Sequence, residues 1–173
     1  MKIAVVGAGA MGSVYAAKFA TSGHQVFAVD PWQEHVEAIN STGLKIQDLD
    51  SERTVLGIKA TTDVKDCGHC DLFVIATKAS AVGEAAHAIK PYVDAKTVVL
   101  TIQNGLGAGD RIATYLATDK VLLGVADGFG ASMKGPGHVH HNAMKLIRLG
   151  EMSGGRSDRL EELEDIWQGA GFN

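Results

Sequence analysis

Three glycines between two apolar runs constrain this 173-residue chain more than any other feature. Lys2-Ile3-Ala4-Val5-Val6 leads directly into Gly7-Ala8-Gly9-Ala10-Met11-Gly12. A helix-like stretch follows, and a second apolar run closes on Asp30. The spacing G-x-G-x-x-G, set after a strand and before a helix, is the pattern of a dinucleotide cradle. Gly7 permits a tight turn, Gly9 removes the Cβ that would block a pyrophosphate, and Gly12 lets the helix pack closely on the strand. The helix start also offers unpaired N–H groups to phosphate. Candidate cofactor contacts are therefore Gly7, Ala8, Gly9, Ala10, Met11 and Gly12. A purely structural glycine turn is the competing reading.

Asp30 lies 18 residues past Gly12, where an acid grips the ribose hydroxyls of the adenosine. A 2′-phosphate there meets a like charge, and no Arg or Lys occurs between Asp30 and Lys45 to relieve it. The expected cofactor is NAD(P), with NAD favoured over NADP by Asp30. Asp30 can also serve as a cap on the helix that starts near Pro31-Trp32, and the two roles are compatible.

The apolar runs recur at Lys2 to Val6, Gln25 to Val29, Asp71 to Thr77, Thr97 to Ile102 and Val121 to Val125. Most are continuous rather than alternating, as strands buried on both faces of a parallel sheet read. Helix-like segments separate them at Met11 to Thr21, Trp32 to Ser41, Ala79 to Ile89 and Gly109 to Ala117. The pattern predicts an α/β fold: a Rossmann-like, doubly wound parallel sheet. Residues 43–62 read as short strands joined by a charged turn. The stretch from Gly124 reads as an antiparallel extension, with Lys134-Gly135-Pro136-Gly137 as its turn. A terminal helix is expected after the N-cap Ser157, burying Leu160, Leu163 and Trp167 and stopping at Gly169.

The length fits one domain over residues 1–173. A chain of this size buries roughly 70% of its unfolded surface and needs no staples. A net charge of −4 gives no basic excess for nucleic acid or an anionic membrane. No leader and no apolar run of membrane-spanning length is visible. Two cysteines make no disulfide framework, so a cytoplasmic setting is expected.

The ordered set "IAVVGAGAMGS", "IATKAS", "TIQNGLG" and "GPGHVHH" resembles the N-terminal domain of ketopantoate reductases (2-dehydropantoate 2-reductases), and the resemblance runs through essentially all 173 residues. It implies reduction of a 2-keto acid, ketopantoate, to the (R)-2-hydroxy acid with NAD(P)H, on the way to pantothenate. It also implies that Lys78 and Asn104 line the cofactor and substrate cleft and that Ala131 makes a backbone contact to the cofactor. Lys78 and Asn104 fit independently, since each sits just past the end of a predicted parallel strand. Their plainer readings are a solvated lysine and an Asn-Gly turn. Two positions depart from the family pattern. Pro31 stands where the family commonly carries an Arg for NADP, and Ala81 stands where it commonly carries a Gln. The resemblance further implies that the general-acid lysine and the substrate-binding Ser, Asn and Glu lie in a helical C-terminal domain beyond residue 173. No catalytic residue is therefore assigned within this chain, and the chain alone is expected to be inactive. Oligomeric state is not legible.

Other stretches compete for attention. Cys67-Gly68-His69-Cys70 has the spelling of a disulfide isomerase site, but it precedes a predicted strand instead of opening a helix. His138, His140 and His141 read as a core-edge strand and not a metal site, since only the first two share a face. No metal is expected. Two further functions stay open: an NAD-dependent D-2-hydroxyacid or 6-phosphogluconate-type dehydrogenase, and a non-catalytic NAD(H)-sensing module.

Overall fold

A computed structural model describes residues 1–104, 107–143 and 145–173. Gly105 and Leu106 of the expected Asn-Gly turn, and Met144, lie outside the described residues. The chain begins with β1 (Lys2–Val6), α1 (Ala10–Thr21), β2 (Gln25–Val29) and α2 (Gln33–Thr42). Three short strands follow: β3 (Leu44–Gln47), β4 (Glu52–Val55) and β5 (Lys59–Thr61). Next come β6 (Leu72–Ile75), α3 (Val82–Ile89), β7 (Val98–Thr101) and α4 (Ala108–Ala113). The remainder is β8 (Val121–Asp127), β9 (Gly130–Gly135), β10 (His138–Ala143), β11 (Leu146–Glu151) and α5 (Asp158–Gly169).

Seven strands form the main sheet in the order β11-β8-β7-β6-β1-β2-β5. All its pairings are parallel except β11 on β8. The central strands are buried on both faces, which is why they read as unbroken apolar runs. Ile3, Val5, Leu72 and Val74 feed one apolar layer. Ala4, Val6, Phe73 and Ile75 feed the other. The split follows the two-residue period of a strand.

A second sheet, β4-β3-β10-β9, packs over α1. The charged turn between β3 and β4 and the Pro136-Gly137 turn between β9 and β10 fall where the sequence places them. With a sheet on either side, α1 is buried from Gly12 through Ala17 and again at Phe19. A helix apolar all round is one packed on more than one side.

Several boundaries differ from the sequence reading. The helix expected from Ala79 opens as a 3-10 turn over Ala79–Ala81 and becomes α-helical at Val82. The one expected to reach Ala117 ends at Ala113, where Tyr115 N–H closes on the Ile112 carbonyl three residues back. β5 leaves its neighbours and joins the main sheet beside β2. In α5, Ser157 Oγ accepts from Leu160 N–H at 3.2 Å, as expected of the cap. The helix ends at Gly169, as expected. The chain turns at Gly171, with φ +75°. Trp167 meets Phe19 edge-on at 5.1 Å and so fastens α5 to α1.

Gly12 has no room for a side chain, because a Cβ there would lie 2.1 Å from the Gly7 carbonyl oxygen. Gly12→Ala must push α1 away from β1, and a loss of about 3 kcal/mol is expected in denaturant unfolding. An unchanged midpoint would contradict this packing.

Candidate functional site

The main sheet reverses its winding between β1 and β6, and a cleft of about 1050 Å³ opens at the carboxyl ends of these strands. Such a switch point is where open α/β sheets bind ligands. Val6, Val29, Ala76 and Ile102, at or just past the ends of β1, β2, β6 and β7, form its floor. Gly7, Gly9, Ala10, Met11, Asp30, Lys78 and Asn104 all reach this cleft, from the four loops after β1, β2, β6 and β7.

Three expected contacts are set apart from it. Ala8 is fully buried, its N–H donates to Val29 O at 3.0 Å, and its carbonyl accepts from Ser13 Oγ and bonds His35 Nε2. It builds the turn and presents nothing to the cleft. Ala131 lies in β9 opposite His141, within the ladder of the small sheet. The residue that lines the cleft on that side is Ala126, at the end of β8. Gly12 lies behind the cleft, against Gly7.

The glycine turn is now explicit. Gly7 has φ +92°, and a Cβ on it would strike Thr77 N at 2.6 Å, so the turn touches the loop after β6. Gly9 differs: its φ of −62° suits any residue, and a Cβ there would meet no protein atom within 4 Å. That Cβ would project into the space before the first turn of α1. Ala10, Met11 and Gly12 open the helix, where geometry leaves N–H groups without intrahelical partners. The protein's own packing gives Gly9 no reason to lack a side chain, whereas a pyrophosphate seated on those amides would. Thr77 supplies a second sign of fit, since its Oγ1 is buried with no partner among the described residues.

Asp30 Oδ1 accepts from Trp32 N–H at 3.0 Å, an Asx turn ahead of α2; the N-cap of that helix is Trp32 and no side chain caps it, so Asp30 is not its cap. Its side chain still borders the cleft. Asp63 stands nearby on the wall but is paired with Lys65 at 2.8 Å. Lys78 is exposed and extended at the start of the Ala79–Ala81 turn.

Sequence reasoning missed His35, Thr77 and Gln103. His35 is fully buried in α2. Its Nδ1 accepts from Gly137 N–H at 2.9 Å, so its Nε2 carries the proton and donates to Ala8 O at 2.9 Å. The ring thereby ties the glycine turn to the β9–β10 turn, a partnership across 102 residues that no local signal announces. Burial holds the His35 pKa below its ordinary 6.5, against smaller upward pulls from the Ala8 carbonyl and Asp30.

The other candidate clusters have ordinary explanations. Cys67 closes a 3-10 turn, and burial pushes the Cys67 thiol up to about 12 and the Cys70 thiol to about 11, away from reactive thiolate. His141 Nδ1 pairs with Asp48 at 2.9 Å. Among the described residues no three His, Cys, Asp or Glu side chains are grouped to hold a metal, and no helix is long and apolar enough to cross a membrane.

Because the neutral ring is the native form, below about pH 6.5 the unfolded chain binds a proton that folded His35 refuses. The His35 contribution is complete above that pH and is lost as pH falls toward the depressed folded value. Thermal unfolding of the parent and of His35→Gln between pH 8 and pH 5 should give curves that converge as the pH falls. Parallel curves would contradict a His35 pKa depressed by burial.

The family profile described as Ketopantoate reductase PanE/ApbA matches residues 3–154. The chain is 30% identical over 174 residues to a 2-dehydropantoate 2-reductase of Lactococcus lactis subsp. lactis, covering 100% of this chain and 55% of that protein. A 2-dehydropantoate 2-reductase of Nostoc sp. is 32% identical, with 99% and 54% covered. The chain thus spans about half the length of these curated relatives. The crystal structure of 2-dehydropantoate 2-reductase from Geobacter metallireducens superposes with a TM-score of 0.91 at 33% identity, covering 99% of this chain and 56% of that one. A ternary structure of D-mandelate dehydrogenase with NADH and anilino(oxo)acetate gives 0.90 at 30% identity, covering 100% and 55%.

Proposed function

This chain belongs to the ketopantoate reductase PanE/ApbA family, and from that premise we propose that it is the nicotinamide-dinucleotide-binding part of a 2-keto acid reductase acting on ketopantoate. The observation that carries the reading is Gly9, whose missing side chain leaves open space before the amides of α1. The pyrophosphate sits on those amides. Asp30 at the end of β2 would meet the adenosine ribose, and Ile102 and Ala126 at the ends of β7 and β8 would face the nicotinamide. Asp30 accepts from the ribose hydroxyls and disfavours a 2′-phosphate, so NADH is preferred to NADPH.

The bound nicotinamide supplies hydride to the keto carbon. Lys78 presents positive charge to a phosphate or to the substrate carboxylate. Asn104 both donates and accepts hydrogen bonds at a ribose or keto acid. The apolar side chains of Val6, Ala76 and Ile102 would exclude water from the floor of the cleft. Proton donation to the new alkoxide belongs to a part of the full-length protein outside these 173 residues. The share of the relatives that this chain spans supports that division.

Fluorescence titration with NADH and NADPH side by side tests the cofactor reading. Asp30→Ala should weaken NADH about tenfold, the loss expected of a hydrogen bond to a charged group, and leave NADPH unchanged or tighter. Gly9→Ala should keep the parent's unfolding midpoint while losing both nucleotides. Equal losses for NADH and NADPH on Asp30→Ala would reduce that residue to a turn former before α2.

A second reading, an NADH-dependent D-2-hydroxyacid dehydrogenase, is favoured by Asp30 and by the likeness to D-mandelate dehydrogenase. A panel of 2-keto acids given to the full-length protein with NADH separates the two. Ketopantoate should be reduced with the highest kcat/KM. A preference for aryl keto acids would install the second reading instead.

A further inference from the structure

The loops carrying Lys78 and Asn104 leave the sheet from different strands, yet both must arrive at one cleft. Between them stands Gln103, half-buried at the end of β7. Its Nε2 donates to Ile75 O at 2.7 Å and to Thr77 O at 3.2 Å, while its Oε1 accepts from the Thr101 hydroxyl. Both amide protons are thus committed to the backbone of the neighbouring loop, and Thr101 fixes which way the amide faces. The β1 ladder reaches only as far as Ala76 N–H on Val6 O. Beyond it, among the described residues, the Thr77 carbonyl is held by Gln103. Thr77 is also the residue pressed against Gly7.

We infer that Gln103 is a positioning residue: by clamping the Thr77 carbonyl it sets Lys78 opposite the glycine turn and in step with the adjoining Asn104. The inference rests on the reading of the cleft as a nicotinamide-dinucleotide site. It explains why a primary amide stands here. A leucine of similar volume donates nothing, and a carboxylate would face two carbonyl oxygens with no proton to offer. Gln103 itself has no donor left for a ligand, so its effect on binding must pass through Lys78 and Thr77.

A mutant cycle on NADH affinity, measured by fluorescence titration of this chain, tests it. Lys78→Ala in the parent should cost about tenfold. In a Gln103→Leu background, already weakened by a similar factor, Lys78→Ala should cost less than about twofold, because the lysine is no longer held in place. A merely structural glutamine would leave the Lys78→Ala penalty at its full value in both backgrounds, and that additivity overturns the inference. Thr101→Val is the milder variant should Gln103→Leu not fold. It frees the amide to rotate, and the Lys78→Ala penalty should then fall to about threefold; a full penalty again overturns the inference. No loss on Lys78→Ala in the parent also overturns it, because nothing would then need positioning. Failure of the parent to bind NADH at all is the separate result that removes the cofactor reading beneath it.

Discussion

The Val29 carbonyl oxygen accepts from two successive amides, Gly7 N–H at 2.8 Å and Ala8 N–H at 3.0 Å. This fork joins the end of β2 to the turn after β1 and decides which backbone groups remain for a ligand. With the first two amides of the glycine segment spent, the next ones, at the start of α1, are those that face the cleft. The same turn receives His35 from one side and Thr77 from another. A Cβ on Gly7 or Gly12 would break these approaches. The glycine spacing is therefore a packing requirement at Gly7 and Gly12, while at Gly9 the protein's own packing demands no glycine.

The cleft is assembled from chain segments far apart in sequence, and each is held by a distinct device. His35 reaches across from α2 and pins the glycine turn to the Gly137 turn of the small sheet. Gln103 reaches from the end of β7 and pins the loop after β6. The aromatic group of Tyr15, Phe19, Trp167 and Phe172 fixes α5 against α1 behind the cleft. Arg159 on Glu151 anchors the start of that helix to β11, with Nε at 2.8 Å. These contacts stiffen the walls and leave the cleft's polar edge, Asp30, Lys78 and Asn104, to meet a ligand.

Much of this was legible in the residues because the deciding signals are local. An apolar run, a glycine triplet and an acid at the end of the next run specify strand, turn, helix and strand without reference to anything distant. Ser157 announced its cap for the same reason. Boundaries were less legible where two local geometries compete, as at Ala79–Ala81, where the backbone takes a 3-10 turn before becoming α-helical. Where Ala131 falls relative to the cleft was not legible, because short sequence likeness does not carry register. β9 pairs with β10, and the cleft is reached instead by Ala126 on the preceding strand.

By itself the sequence determined the alternation of strands and helices, the double burial of the parallel sheet and the glycine cradle, all set by periodicity and by the room a missing Cβ leaves. Only the tertiary structure decided that Ala8 is buried behind the turn while Thr77 lines the cleft, that His35 must be neutral with its proton on Nε2, and that Gln103 spans two loops. The reason is physical: such roles depend on hydrogen-bond partners that come close only when strands distant along the chain lie side by side.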